Sequence, residues 1–165
     1  MVDRTVLFLP TITGTGSGLR WLVQGWRQQL KGWRFVVVNR RGHGTPLTTP
    51  RFNTLGCTDD LALAVAQVEQ RFPATEMYMI GVSAGSALTA RYVGEMGARC
   101  NIRAAICVCP AYDIKRAWDR LHPLYDRFLT KALKSFFLEK NQDVLTSEDT
   151  KHHYQHLNES SGCPN

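Results

Sequence analysis

The stretch that decides the fold runs from Met77 to Ser86 and reads Met-Tyr-Met-Ile-Gly-Val-Ser-Ala-Gly-Ser. Its first half is apolar and bounded by a glycine, which is typical of a buried strand. A helical pattern follows directly, so the chain must turn sharply at Ser83. Gly81 and Gly85 flank the serine and lack the side-chain bulk that such a turn excludes. We therefore predict a strand, a tight turn and a helix in this order.

Three other apolar runs have the same character, and each is followed by a loop and a helical pattern. Predicted strands lie at 6–9, 35–39, 77–81 and 102–109, and predicted helices at 19–30, 59–72, 84–96 and 124–138. Strands that alternate with helices of this length form βαβ units, whose right-handed crossovers leave few topologies. We predict an α/β fold with a doubly wound, mostly parallel sheet, in which the first and third strands are neighbours.

The second strand and the second helix carry clear local signals. Phe35–Asn39 is rich in β-branched residues, which predicts a buried strand. Thr58 is placed to cap the second helix, and Asp59 and Asp60 fall in its first turn, where they complement the helix dipole.

Composition is that of one globular domain. The 165 residues are 44% hydrophobic and 21% charged, and we place the domain at residues 1–140 and a polar tail at residues 141–165. No apolar run approaches the roughly 18 residues that cross a membrane, and the N-terminus lacks a signal-peptide pattern. The net charge is +6, but the basic residues are scattered, so no nucleic-acid partner is expected.

The cysteines are odd in number and lack CxxC spacing, so we expect reduced thiols rather than a metal site or a disulfide framework. Their positions are Cys57, Cys100, Cys107, Cys109 and Cys163. Cys107 and Cys109 lie two residues apart in the fourth predicted strand, which places both on one face as small core residues.

The turn at Ser83 also carries chemistry, because Gly81-Val82-Ser83-Ala84-Gly85 matches the G-x-S-x-G pattern in its strand-to-helix context. Such a turn exposes the serine hydroxyl at the carboxyl end of the sheet. It also directs the Ala84 N–H to where an oxyanion would form. We predict that Ser83 is a nucleophile, and the alternative is that its hydroxyl only caps the helix.

A second N–H donor is expected from the loop after a neighbouring strand. The loop from Pro10 to Gly14 holds that position, and Ile12 is our candidate. The alternative is that Ile12 is an apolar plug beneath the loop.

Several ordered motifs together resemble a known family. They are Leu7-Phe8-Leu9-Pro10-Thr11-Ile12-Thr13-Gly14, Asn39-Arg40-Arg41-Gly42-His43-Gly44, Leu47-Thr48-Thr49-Pro50-Arg51, Asp59-Asp60-Leu61 and the G-x-S-x-G segment. The chain resembles the alpha/beta-hydrolase-domain lipases and esterases, in the branch with YheT-like esterases and animal medium-chain phospholipid and acylglycerol lipases. The resemblance runs from about Val6 to about Lys140.

This resemblance implies an incomplete α/β-hydrolase fold and a serine ester hydrolase. Ser83 would be the nucleophile, and the backbone N–H groups of Ile12 and Ala84 would form the oxyanion hole. Lipids or small esters would be the substrates, and neither a cofactor nor a metal is needed. Thr11 departs from the glycine that is usual in relatives. The parent protein is expected to be cytoplasmic or membrane-associated.

The family also has an acid and a histidine in later loops, and only 82 residues (165 − 83) follow Ser83. We therefore expect a chain that is truncated at both ends and lacks the acid and the histidine. His43 and Asp113 are the available substitutes, as base and acid; the alternatives are a turn residue for His43 and a helix cap for Asp113. His152 and His156 have helical spacing but no HExxH context, so no metal is expected.

Two other functions stay open on the sequence. The first is an NADP-binding oxidoreductase domain, because Gly14-Thr15-Gly16-Ser17-Gly18 follows a strand and Asn39-Arg40-Arg41 ends the next one, where an arginine could meet the 2′-phosphate. Leu19 stands where the third fingerprint glycine should fall. The second is a catalytically inactive hydrolase fragment that acts in binding.

Overall fold

The computed structural model describes residues 3–53, 57–110 and 112–145. Four strands form one parallel sheet in the order β2-β1-β3-β4, which confirms that the first and third strands are neighbours. The strands are β1 (Arg4–Leu9), β2 (Trp33–Val37), β3 (Glu76–Val82) and β4 (Ile102–Val108). The helices are α1 (Arg20–Gln29), α2 (Asp59–Arg71), α3 (Ala84–Met96), α4 (Ile114–Asp119), α5 (Pro123–Leu133) and α6 (Gln142–Leu145).

The described residues divide into two compact units. The first lies within Met1–Gly44 and Asn53–Tyr112 and holds the whole sheet. The second lies within Thr45–Phe52 and Asp113–Asn165.

One face of the sheet carries the main core of the first unit. Because side chains alternate along a strand, Leu7 and Leu9 point to this face, next to Met77 and Met79 of β3. Helices α2 and α3 cover it with an apolar stripe at helical spacing. The helix residues in this cluster are Leu61, Val65, Val68, Leu88 and Tyr92.

The opposite face is covered by α1 near β1 and β2. The Trp26 ring packs against Phe8 with centroids 5.4 Å apart and against Phe35 at 5.6 Å. Helices therefore lie on both faces of a parallel sheet, which confirms the doubly wound α/β prediction.

The two outer strands differ from their sequence predictions. Strand β2 begins at Trp33, two residues earlier than predicted, and its residues are half-buried rather than buried because it lies at the sheet edge. Strand β4 forms the other edge, where the Ile106 side chain is 56% exposed. The prediction that Cys109 is a core residue is wrong: β4 ends at Val108, and Cys109 is exposed with φ 51°.

Helix α2 begins as predicted, but its N-cap uses a different contact. Thr58 is the N-cap residue, yet its hydroxyl donates to Glu95 Oε2 at 2.5 Å instead of accepting from the helix. This hydrogen bond has the largest effect and the hydrogen bond from Arg91 the next largest, and both lower the pKa of the Glu95 carboxyl. Asp59 and Asp60 lie in the first turn, as the sequence indicated.

The second unit contains the predicted last helix. It appears as α5, which continues through a π-helical turn at Lys134–Leu138. Asn141 is buried there: it accepts from the Leu47 N–H at 3.4 Å and donates to the Phe137 carbonyl at 3.0 Å. Short α4 was not predicted.

Several predictions fall on residues that are not described. Most of the predicted polar tail, with His152, His156 and Cys163, lies outside the described residues, and the domain boundary at residue 140 stays a prediction. None of the described helices is long and apolar enough to cross a membrane.

Replacement of Leu7 tests the central role of β1. Leu7 is fully buried, so we expect Leu7→Ala to lower the free energy of unfolding by about 2–5 kcal/mol. Leu63 of α2 is 65% exposed, so Leu63→Ala should change it by less than about 0.5 kcal/mol. Urea unfolding measures both, and equal losses would contradict the packing described.

Candidate active site

Ser83 occupies the turn between β3 and α3 in a strained backbone conformation. Its φ is 53° and its ψ is −116°. Among the described non-glycine residues, only Ser83 and Cys109 have positive φ. Such a conformation costs on the order of 1–3 kcal/mol and persists only where the surrounding structure enforces it. The Ser83 N–H donates to the Val108 carbonyl at 2.9 Å, which ties the turn to the end of β4.

The hydroxyl of Ser83 does not act as a helix cap. Within the described part of the chain, it makes no capping hydrogen bond to α3. The Ser83 carbonyl instead accepts from the Ser86 N–H at 2.9 Å and from the Ser86 hydroxyl at 2.5 Å. The structure therefore disfavours the capping alternative.

Two glycines allow the turn to pack closely. A Cβ at Gly81 would overlap the Gly85 carbonyl and come within 2.5 Å of Thr89 Oγ1. A Cβ at Gly85 would overlap the Leu9 carbonyl and come within 2.7 Å of the Pro10 carbonyl. The first turn of α3 thus lies directly against the end of β1.

The loop after β1 contains the second predicted oxyanion residue. Leu9 pairs with Gly81, so the loops after β1 and β3 leave the same edge of the sheet. The Gly14 N–H donates to the Thr11 carbonyl at 3.0 Å and closes a turn around half-buried Ile12. Ala84 is buried at the start of α3, where backbone N–H groups lack partners within the helix. The roles of Ile12 and Ala84 stay predictions.

The loop after β2 reaches into this region with two buried polar side chains. The Arg40 guanidinium donates to the Thr11 carbonyl, and His43 Nε2 lies 2.7 Å from the Ile12 carbonyl. His43 Nδ1 lies 3.1 Å from the Arg41 carbonyl. Burial lowers the pKa of Arg40 to about 10, so the side chain stays a cation at neutral pH. The prediction of His43 as the base stays a prediction.

The same loop is anchored to α2. Arg41 forms an ion pair with Asp60, and the Asn53 amide donates to the other Asp60 oxygen at 3.0 Å. Sequence reasoning missed Asp60 as a site support; it gave this residue only a role in the helix dipole. The opposite charges of Arg41 in the loop and Asp60 at the helix start could have indicated this ion pair.

Asp113 lies in the second unit, at the start of α4. Its carboxylate accepts from the Arg116 N–H at 2.9 Å and caps that helix, which confirms the capping alternative. Its role as a catalytic acid stays a prediction. Among the described residues, no cluster of three or more His, Cys, Asp or Glu side chains could hold a metal ion.

The glycine-rich loop that suggested a nucleotide site is hydrogen-bonded to a side chain of this protein. Asn39 Oδ1 accepts the Gly16 N–H at 2.9 Å, so this amide donates to a side chain. The first glycine of the loop, Gly14, closes a separate turn that begins at Thr11. No described contact supports the nucleotide alternative.

Comparison with solved structures identifies the fold as that of the α/β hydrolases. An esterase from Exiguobacterium antarcticum superimposes with a TM-score of 0.54 and 14% sequence identity, and the match covers 92% of this chain and 69% of that one. Residues 20–161 match the family described as "Serine aminopeptidase, S33" (Hydrolase_4). The chain belongs to this alpha/beta-hydrolase family, which confirms the resemblance described above.

Sequence relatives of the chain include two named lipases. Monoacylglycerol lipase ABHD2 of Danio rerio is 30% identical over 67% of this chain and 28% of its own length. Phospholipase ABHD3 of Bos taurus is 31% identical over 79% of this chain and 33% of its own length. The chain spans about a third of the length of the curated relatives it matches.

A methyl group at Gly85 tests the close packing of the turn. We expect Gly85→Ala to lower the free energy of unfolding by about 1–3 kcal/mol, because the new Cβ overlaps the β1 backbone. Gly94 of the same helix has open space around it among the described residues, so Gly94→Ala should raise stability by about 0.5–1 kcal/mol. The urea concentrations at the unfolding midpoint compare the two variants with wild type. An unchanged midpoint in Gly85→Ala would contradict the close contact with β1.

Proposed function

We propose that the chain carries the nucleophile and oxyanion parts of a serine ester hydrolase, with Ser83 as the nucleophile. The observation that carries this proposal is the strained backbone of Ser83 between β3 and α3. A serine that served only packing or capping would not need a conformation rarely adopted outside glycine. The turn also leaves the side chain at the carboxyl edge of a parallel sheet, where α/β enzymes bind ligands.

In the proposed reaction, Ser83 Oγ attacks the ester carbonyl while a base accepts its proton. Negative charge then develops on the former carbonyl oxygen. The N–H groups of Ile12 and Ala84 are the proposed donors to that oxygen. Their loops leave adjacent strands, and Gly85 brings the start of α3 against the end of β1.

The substrate class follows from the relatives together with the site chemistry. We propose lipid or small carboxylic esters, because two relatives are named as a monoacylglycerol lipase and a phospholipase. Membrane association of a longer parent protein is part of the same proposal. The nucleophile and the two N–H donors act on the ester group itself, so the proposed chemistry is common to these substrates.

The two candidate residues for base and acid already make other contacts. Both ring nitrogens of His43 face backbone carbonyls, and the Asp113 carboxylate caps α4. We propose that the 165-residue chain alone turns over esters slowly. The alternative, an inactive hydrolase fragment that acts in binding, predicts no serine reactivity at all.

A fluorophosphonate probe tests the nucleophile. We expect slow labelling of Ser83, because Oγ can form a bond to phosphorus while fluoride leaves and the proton passes to solvent or a base. Mass spectrometry of the peptide locates the label. Ser83→Ala should abolish it, and Ser17→Ala, at an exposed serine, should not. Labelling that persists in Ser83→Ala would exclude this nucleophile.

Hydrolysis of p-nitrophenyl butyrate tests the proposal that the chain lacks a working base. We expect wild type to hydrolyse the ester at a rate close to that of Ser83→Ala. Added imidazole should raise the wild-type rate more than the Ser83→Ala rate, because imidazole can accept the Oγ proton. The variant corrects for hydrolysis by imidazole itself. Fast turnover without imidazole, abolished by Ser83→Ala, would show that the chain contains a working base.

A further inference from the structure

We propose that Arg40 and His43 are positioning residues, which orient the backbone N–H groups of the loop after β1 for oxyanion binding. This inference rests on the proposed function and deepens it. The sequence suggested other roles for both residues: Arg40 is one of two adjacent arginines that could meet an NADP phosphate, and His43 is a candidate base. The structure directs both side chains to carbonyl oxygens of one short turn.

Peptide geometry connects these carbonyls to the N–H groups. The Thr11 carbonyl and the Ile12 N–H belong to the same peptide unit, which is planar and trans, so they point in opposite directions. A donor that holds the Thr11 oxygen therefore fixes the direction of the Ile12 N–H. Arg40 and the Gly14 N–H both donate to that oxygen.

His43 acts on the next peptide unit in the same way. Its Nε2 lies 2.7 Å from the Ile12 carbonyl, whose peptide partner is the Thr13 N–H. Two consecutive peptide units are thus held from the side of the β2 loop. A turn held at both carbonyls cannot rotate either N–H group away without breaking a hydrogen bond.

The charge of Arg40 adds to its geometric effect. The side chain is only 4% exposed, and burial of a cation is costly unless it is well hydrogen-bonded. A charged donor makes a stronger hydrogen bond than a neutral one, and it polarises the peptide unit that it contacts. The N–H of that unit, at Ile12, becomes a stronger donor to a developing oxyanion.

The loop that carries both residues is itself held in place. The Arg41–Asp60 ion pair and the Asn53–Asp60 hydrogen bond tie it to α2. The His43 N–H donates to the Arg40 carbonyl at 2.8 Å and closes a tight turn between the two residues. The two donors therefore sit on a supported loop, as preorganised sites require.

The first test compares fluorophosphonate labelling rates at Ser83. We expect Arg40→Met to lower the rate about tenfold or more, since loss of a direct oxyanion donor costs about 100- to 1,000-fold. Arg34→Met is the matched control. Arg34 is a partly buried arginine paired with Asp3 at the opposite end of the sheet, and its loss should leave the rate unchanged. If wild type is labelled, an equal labelling rate in Arg40→Met would overturn the proposal.

Replacements at His43 separate positioning from base catalysis. Glutamine can donate to the Ile12 carbonyl but cannot accept the Ser83 proton as a base, whereas leucine can do neither. We expect His43→Gln to recover labelling relative to His43→Leu. Equal loss in both variants, in proteins that unfold at similar urea concentrations, would instead support a base and contradict positioning.

Backbone amide hydrogen exchange tests the orientation without any chemistry at Ser83. We expect exchange at Ile12 and Thr13 to accelerate in Arg40→Met and His43→Leu but not in Arg34→Met. If wild type is not labelled yet these amides respond, the proposed function fails and the positioning stands. Unchanged exchange at both amides would overturn the positioning whatever the labelling shows.

Discussion

The rest of the structure depends on a contact between two backbones. The first turn of α3 lies against the last peptides of β1, and only a residue without a side chain fits at Gly85. This contact requires β1 and β3 to be neighbours and to end at the same level, as they do through the Leu9–Gly81 pair. With the strands in that arrangement, Ser83 and the turn around Ile12 leave the sheet side by side. The strain at Ser83 is then compensated by packing over the whole first unit.

Much of this arrangement could be predicted from the sequence, because it depends on local sequence patterns. Apolar runs and helical periodicity gave the four strands and the main helices, and glycines on both sides of Ser83 gave the sharp turn. Within the sheet, the errors lie at its edge strands. The sequence of β2 does not reveal that, among the described strands, only β1 pairs with it. Cys109 continues an alternating pattern although the strand has already ended.

The contacts of Arg40 and His43 could not be predicted in the same way. Arg40 and His43 contact carbonyls 29 and 31 residues earlier in the chain. Residue type shows that each can donate a hydrogen bond, but only the folded sheet selects the acceptor. The same Arg40 therefore suited a nucleotide phosphate as well as a backbone carbonyl. The contact between Arg40 and the Thr11 carbonyl favours the second interpretation.

The distance along the chain between Leu9 and Gly85 has a consequence for folding kinetics. Contacts between residues far apart in sequence form only after the loops between them have closed, and parallel strands depend on such contacts throughout. The turn at Ser83 cannot reach its strained conformation before β3 has docked beside β1. Nascent chains that lack this docking would hold Ser83 in an ordinary, relaxed backbone conformation, so the strained turn would form only as the first unit completes its folding.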